Sequence, residues 1–318
     1  MSPLTSFKEI PINTIQTKSI WNLHPFSPPK PSKNLCSSLA VLNLIHPPIV
    51  IAAENETYYI LSGGRRLIAF REVFPDKKTI PVLLLQRNIG QETILQYLLT
   101  DKIYSGHFSP MEKAYFFQLC LKHMSLKSVA QKFLPLMKEK KQPHIITKFI
   151  SLCNLEPELQ QSVHTEQINP KLGLELLSLS KEDRSTLHTL FKRLEFGGGK
   201  QKRLLTLSKD LAGRQQTKIS TLLAEKEYED ILNHPEMNLP QKGASLLTLL
   251  HRQLYPQSNR AEENFNKRVQ RMELAPSCSI EHSPSFERDE VQLHLRFATL
   301  GDLEKQLATI KKLQQAVD

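Results

Sequence analysis

The sequence predicts an α+β protein in four parts: a small mixed-sheet N-terminal domain over 1–105, an all-helical domain with a helix-turn-helix over 106–255, a linker at 256–285, and a short C-terminal strand–helix element at 286–318. Three observations predict it. Strand-like and helix-like apolar runs alternate before residue 100, only helical spacing recurs from about 110 to 255, and "VQLHLRF" at 291–297 alternates apolar with polar residues. A chain of 318 residues, 40% of them hydrophobic, can bury more than one core.

The elements follow in order. A helical run near 35–44 leads through Pro47-Pro48 into the strand-like "IVIAA", and "ETYYIL" reads as a second strand. A helix over 65–74 places Leu67, Phe70 and Phe74 on one face, and "IPVLLL" at 80–85 reads as a third strand. Helices are expected over Met111–Met124, Ser125–Leu134, Gln142–Asn154, Pro157–Thr165 and Pro170–Leu179. "EFGGGKQKR" at 195–203 reads as a flexible break. Pro256, Pro276 and Pro284 punctuate a linker around a short polar helix. Leu300, Leu303, Leu307, Ile310 and Leu313 then form an apolar stripe, which suits a dimerisation element or a tail docked on its own chain equally.

The formal charge is +10. Residues 121–220 hold 18 Lys/Arg against 9 Asp/Glu, so nearly the whole excess falls in the helical middle, where a polyanion such as nucleic acid would be met. Cys36, Cys120, Cys153 and Cys278 have neither disulfide-framework nor zinc-ligand spacing, which predicts a reducing cytoplasm. The start, MSPLTSFKEI, lacks the apolar core of a signal peptide. Residues 34–53 contain no Asp, Glu, Lys or Arg, yet Asn43, His46 and the proline pair make them a buried helix followed by a strand rather than a membrane span.

The run "YYILSGGRRLIAFREVF", Tyr58–Phe74, is the clearest candidate site. A strand ending at Leu61, then Ser62-Gly63-Gly64, then a helix from Arg65 leaves free backbone N–H groups at a helix N-terminus, and glycine admits a ligand close to them. Arg65 and Arg66 add donors suited to phosphate. Spacing alone fits a phosphate cradle or a Gly-Gly turn with a solvated arginine pair.

"NLIHPPIVI" (43–51) followed by "YYILSGGRRLIA" (58–69) resembles the ParB/Spo0J-type partition proteins, whose N-terminal domain carries a strand-turn-helix of the form Gly-Glu-Arg-Arg-x-x-Ala; Gly63, Arg65, Arg66 and Ala69 match it in register. "SPMEKAYFF", "MSLKSVAQKF" and "ISLCNLEPELQ" continue the resemblance, which spans about 1–180. It implies that Gly63, Gly64, Arg65 and Arg66 cradle the triphosphate of CTP and that His46 and Pro47 border the base. The family's second motif, Glu-Asn-x-x-Arg, falls at 101–105, where this chain reads Asp-Lys-Ile-Tyr-Ser; Asp101 is the candidate ligand for Mg2+, and Lys102 is a candidate phosphate contact without metal. Members usually have Glu at Gly64 and Gln at His46.

In the basic middle, Ser125 is expected to cap a helix burying Val129, Ala130 and Phe133, and the next helix turns Ile145, Ile146 and Phe149 inward. Gln142, His144, Thr147 and Lys148 then face outward, as on a recognition helix in a major groove; a bundle with a solvated basic face fits the same pattern. By resemblance the pair is a helix-turn-helix, with the intervening "LPLMKEKK" adding Lys138, Lys140 and Lys141 beside the groove. The histidines form no HExxH, and no Walker-A or G-x-S-x-G run occurs. The N-terminal fold is also similar to sulfiredoxin, whose phosphate-turn cysteine is absent from Ser62-Gly63-Gly64.

The expectation is a ParB-like, sequence-specific DNA-binding protein of chromosome or plasmid partition, cytoplasmic and nucleoid-associated. Its partners would be a palindromic double-stranded DNA site, a second copy joined at 286–318 and a ParA-type ATPase, with CTP closing a sliding clamp and no membrane contact. A nucleotide-independent helix-turn-helix regulator is the alternative, and a ParB-like nuclease a third.

Overall fold

The structure, a computed structural model, describes residues 5–17, 20–21, 23, 26, 30–87, 89–104, 106, 108–274, 278–283 and 290–302. Five strands form the N-terminal sheet: β1 (Thr5–Pro11), β2 (Ile15–Gln16), β3 (Ile49–Ala52), β4 (Tyr58–Ser62) and β5 (Thr79–Leu85). Helices α1 (Lys33–Leu42), α2 (Gly64–Val73) and α3 (Gln91–Tyr104) belong with it. The strand order is β1-β5-β3-β4-β2, with antiparallel β1–β5 and β3–β4 and parallel β3–β5 and β2–β4 pairs. The sheet is therefore mixed, and the α+β class expected from the sequence is the one observed.

The apolar runs do not alternate because both faces of the sheet are covered. Val50, Ile60, Ile80 and Val82 join Leu39, Leu67 and Phe70 on one side. Ile51, Leu61 and Leu85 join a second cluster on the other side, with Ile94, Leu95, Leu98 and Leu99 of α3. That cluster continues into α4 (Pro110–Leu121), α5 (Leu126–Lys132) and α6 (Pro143–Ser151) through Phe116, Phe117, Val129, Phe133 and Ile146. Short helices α7 (Pro157–His164) and α8 (Pro170–Leu176) follow. Sheet and helices up to Thr189 belong to one compact unit.

The second unit takes in residues 190–196 and 200–318. After α9 (Lys181–Arg193) come α10 (Gly198–Gln215), α11 (Ile219–Leu223), α12 (Lys226–Asn233), α13 (Leu239–Leu254) and α14 (Pro256–Arg271). A hairpin of β6 (Cys278–His282) and β7 (Val291–Leu295) completes the described elements. The strand expected in "VQLHLRF" is present as β7; the apolar stripe beyond 302 lies outside the described residues. Within the expected linker at 256–285 the chain builds α14, sixteen residues long, in place of the expected short polar helix, and the strand β6, which pairs with β7.

Two expectations are corrected. The break at 195–203 is confined to its start, since Gly198 and Gly199 already belong to α10. Leu204, Leu205, Leu207 and Leu211 are buried along α10, and that burial outweighs a glycine penalty of roughly 1 kcal/mol per residue. The segment at 34–53 does not begin with a buried helix: α1 buries Leu39, while Val41 is 81% and Leu42 59% exposed. An amphipathic helix needs only one stripe inward, and here the stripe is narrow.

One packing contact in the second unit gives a stability prediction. Phe196 is buried beside Gly243 of α13, where an added Cβ would stand 2.4 Å from the ring Cε1. Gly243→Ala is expected to destabilise this unit by about 1–3 kcal/mol through overpacking, despite alanine's better helix propensity. A denaturant midpoint unchanged or raised would show that Phe196 has room to move.

Candidate functional site

The turn after β4 is built around one backbone angle. Gly63 caps α2 in the left-handed region, φ 88° and ψ 20°, which side-chain-bearing residues adopt at a penalty. A Cβ there would also sit 3.0 Å from the Pro48 Cα and 3.1 Å from Arg66 Nη2. The Leu67 N–H donates to the Gly63 carbonyl at 3.0 Å, so the N–H groups of Gly64, Arg65 and Arg66 precede the first i→i−4 bond and open toward the end of the helix. An anion placed there meets backbone donors and the positive end of the helix dipole.

The structure brings the expected residues of this region together, with one change of role. Arg66 Nη1 donates to the carbonyls of His46 and, at 3.3 Å, Pro47, so its guanidinium holds the His46–Pro48 loop against the turn. Burial lowers the Arg66 pKa most; the Asp101 carboxylate opposes that shift, and neighbouring Arg65 adds to it. Arg65, the first arginine of the turn, is exposed. Asp101, on α3, accepts a hydrogen bond from Ser62 Oγ and so ties the end of β4 to α3. Gly63→Ala is expected to cost about 1–3 kcal/mol and to displace the His46–Pro48 loop. Thermal melts, together with the amide shifts of Arg66 and Asp101, check both parts.

Lys102 is not at this site. Its Nζ lies 2.9 Å from Glu112 Oε1, with side chains 13% and 4% exposed, and Glu112 Oε2 also accepts from the Ser109 N–H at 2.9 Å. The expected phosphate contact is thus replaced by a buried ion pair, because α3 turns Lys102 toward the start of α4. Ser105 lies outside the described residues. For Mg2+, Ser62 Oγ and the Asp101 carboxylate meet at the turn, and among the described residues no three His, Cys, Asp or Glu converge as a metal site. Pro48 and Ser62 stand beside the turn in the sequence, which assigns neither a role; β4 runs one residue past the expected Leu61, so that Ser62 ends it.

A second candidate surface lies on α5 and α6. Ser125 Oγ accepts from the Ser128 N–H at 3.2 Å and starts α5, which buries Val129 and Ala130, with Phe133 buried just beyond it. The intervening chain is ordered by a 3-10 turn at Pro135–Met137 and by the Glu139 N–H bonded to the Leu134 carbonyl at 3.0 Å. Pro143 opens α6 at a position where its missing N–H has no helical partner. Ile146 is buried, and Gln142, His144, Thr147 and Lys148 are exposed, as are Lys138, Lys140 and Lys141. The Thr147 hydroxyl donates to the His144 carbonyl at 2.9 Å, leaving its oxygen to accept.

The first unit thus belongs to the class of α+β domains that end a strand in a glycine turn at a helix start, joined here to a helical layer with a polar outer face. No family model matches the chain, and no curated protein matches it. Among solved structures it is similar to the C-terminally truncated chromosome-partitioning protein ParB from Caulobacter crescentus complexed with CTP-gamma-S, at 16% identity and a TM-score of 0.24, over 55% of this chain and 94% of that one. It is similar also to the same protein complexed to the centromeric parS site, at 16% identity and a TM-score of 0.32, over 58% of this chain and 90% of that one. Likenesses at these scores say nothing of ligand or activity. Among the described residues, no helix is long and apolar enough to cross a membrane.

Proposed function

We propose that this chain is a ParB-like DNA-binding protein of chromosome or plasmid partition. The observation that carries the reading is the Ser62–Arg66 turn, closed by the His46–Pro48 loop and set in the same compact unit as the exposed polar face of α6. In this reading Gln142, His144, Thr147 and Lys148 enter the major groove of a palindromic site, and Lys138, Lys140 and Lys141 meet phosphates. The Gly64, Arg65 and Arg66 N–H groups with the Arg65 side chain hold the phosphates of CTP, while His46 and Pro47 border the base. Bound CTP supplies the anionic load that draws the turn and its loop together. A second copy joined through 286–318 and a ParA-type ATPase complete the assembly, which acts at the nucleoid.

One observation favours a nucleotide-independent helix-turn-helix regulator instead. Asp101 is engaged with Ser62 and Lys102 with Glu112, where a magnesium-binding pair would be needed for hydrolysis. A ParB-like nuclease would need several carboxylates at the turn, and among the described residues no three His, Cys, Asp or Glu come together there.

A genome-wide crosslinking map at native expression tests the reading. Palindromic sites flanked by spreading occupancy are the expected result. Narrow peaks without spreading would favour the regulator, and no enriched sites would end the DNA-binding reading altogether. Titration of CTP against the purified protein, with Gly63→Ala beside it, separates nucleotide binding from DNA binding.

A further inference from the structure

Helix α10 (Gly198–Gln215) in the second unit carries five basic residues, Lys200, Lys202, Arg203, Lys209 and Arg214, against one acid, Asp210. Leu204, Leu205, Leu207, Ser208, Leu211 and Ala212 are buried, which fixes the opposite face outward. At about 3.6 residues per turn that outer face is centred on Thr206 and Gly213, with Lys202 and Lys209 along one flank and Arg203 along the other, beside the exposed Asp210. All five are exposed, and a Cβ built on Gly213 meets nothing within 4 Å. Neither Arg203 nor Lys209 makes an ion pair among the described residues.

We infer that this face is a second, sequence-independent contact for the phosphate backbone of double-stranded DNA, apart from α6. Lys202 and Lys209 are seven residues apart, about 10 Å along the axis, and the small residues between the flanks let a backbone lie close. The composition of the face selects the partner. It has no exposed apolar residue, so it lacks what an interfacial membrane helix inserts. It has no aromatic or aliphatic anchor for a protein partner and no ring on which single-stranded bases would stack. Cations without anchors suit evenly spaced phosphates, which carry no sequence information. The inference shares with the proposed function only its partner, DNA.

The test uses the full chain and a duplex of random sequence, with Kd measured across a salt series. Arg203→Glu with Lys209→Glu is expected to weaken binding at least tenfold and to lower the salt slope by about 2. Thr206→Glu, which adds a second acid one turn before Asp210 and between the flanks, is expected to act in the same direction. Far-UV spectra and melting points establish that both variants fold. If both bind random DNA as the wild type does, the inference is overturned, while loss of binding in Lys140→Glu with Lys141→Glu would leave the proposed function standing. If the wild type binds no duplex, both fail. Capture of phosphatidylserine vesicles in place of DNA, abolished by the same substitutions, would also overturn it.

Discussion

Lys102→Ala is expected to lower the unfolding free energy by about 3–5 kcal/mol, since it removes the ammonium group 2.9 Å from the buried Glu112 carboxylate. Glu112 is not free to swing into water. Its Oε2 accepts from the Ser109 N–H, and Ser109 Oγ accepts from the Glu112 N–H, so moving the carboxylate dissolves the capping box that starts α4. Replacing both partners, as Lys102→Met with Glu112→Gln, keeps the cap, removes the charges and is expected to fall within about 1 kcal/mol of the wild type. Denaturant midpoints of the three proteins decide the matter. A loss below about 1 kcal/mol for Lys102→Ala would return Lys102 to the candidates for phosphate contact.

Lys140→Glu with Lys141→Glu is expected to have the largest effect on DNA binding, a loss of about 10- to 100-fold near 0.1 M salt with a salt slope lower by about 2. Both lysines are exposed beside the start of α6 and outside its buried face, so the fold is expected to survive the reversal. The loss should be equal for specific and random duplexes, because phosphate contacts position without reading bases. Gln142→Ala should behave differently and relax preference at one base pair, at a cost of about 1–3 kcal/mol. Equal affinity of wild type and lysine variant at low salt would remove the α5–α6 surface as the DNA contact.

The parts of the fold that were legible in the sequence are those whose pattern is local. β3, β4, β5 and α2 follow from uninterrupted apolar runs around a glycine turn. β1 escaped notice because "TSFKEIP" is an edge strand, with Phe7 and Lys8 turned to solvent, and has too few inward residues to show a period. α3 escaped because Ile94, Leu95, Leu98 and Leu99 are all buried, so its apolar face is broad. At the candidate site, the glycines and arginines announce themselves by spacing. The bonds from Arg66 to the His46 and Pro47 carbonyls leave no trace in sequence, because any residue supplies a carbonyl. The partner of Lys102 was equally invisible, since only the tertiary path of α3 and α4 decides that it meets Glu112.

The apolar cluster that begins at Leu61 beneath the turn and runs through Phe116 and Phe133 to Ile146 of α6 has a thermodynamic consequence. Ser62, one residue from Leu61, ends the strand that feeds the turn, so the proposed nucleotide and DNA sites both adjoin one packed core. Linkage makes any coupling through it reciprocal: the factor by which an occupied turn changes affinity for DNA equals the factor by which bound DNA changes affinity for the nucleotide. Crowding of this protein on a chromosome would then set the occupancy of the turn at a fixed nucleotide concentration, and DNA itself would act as the effector.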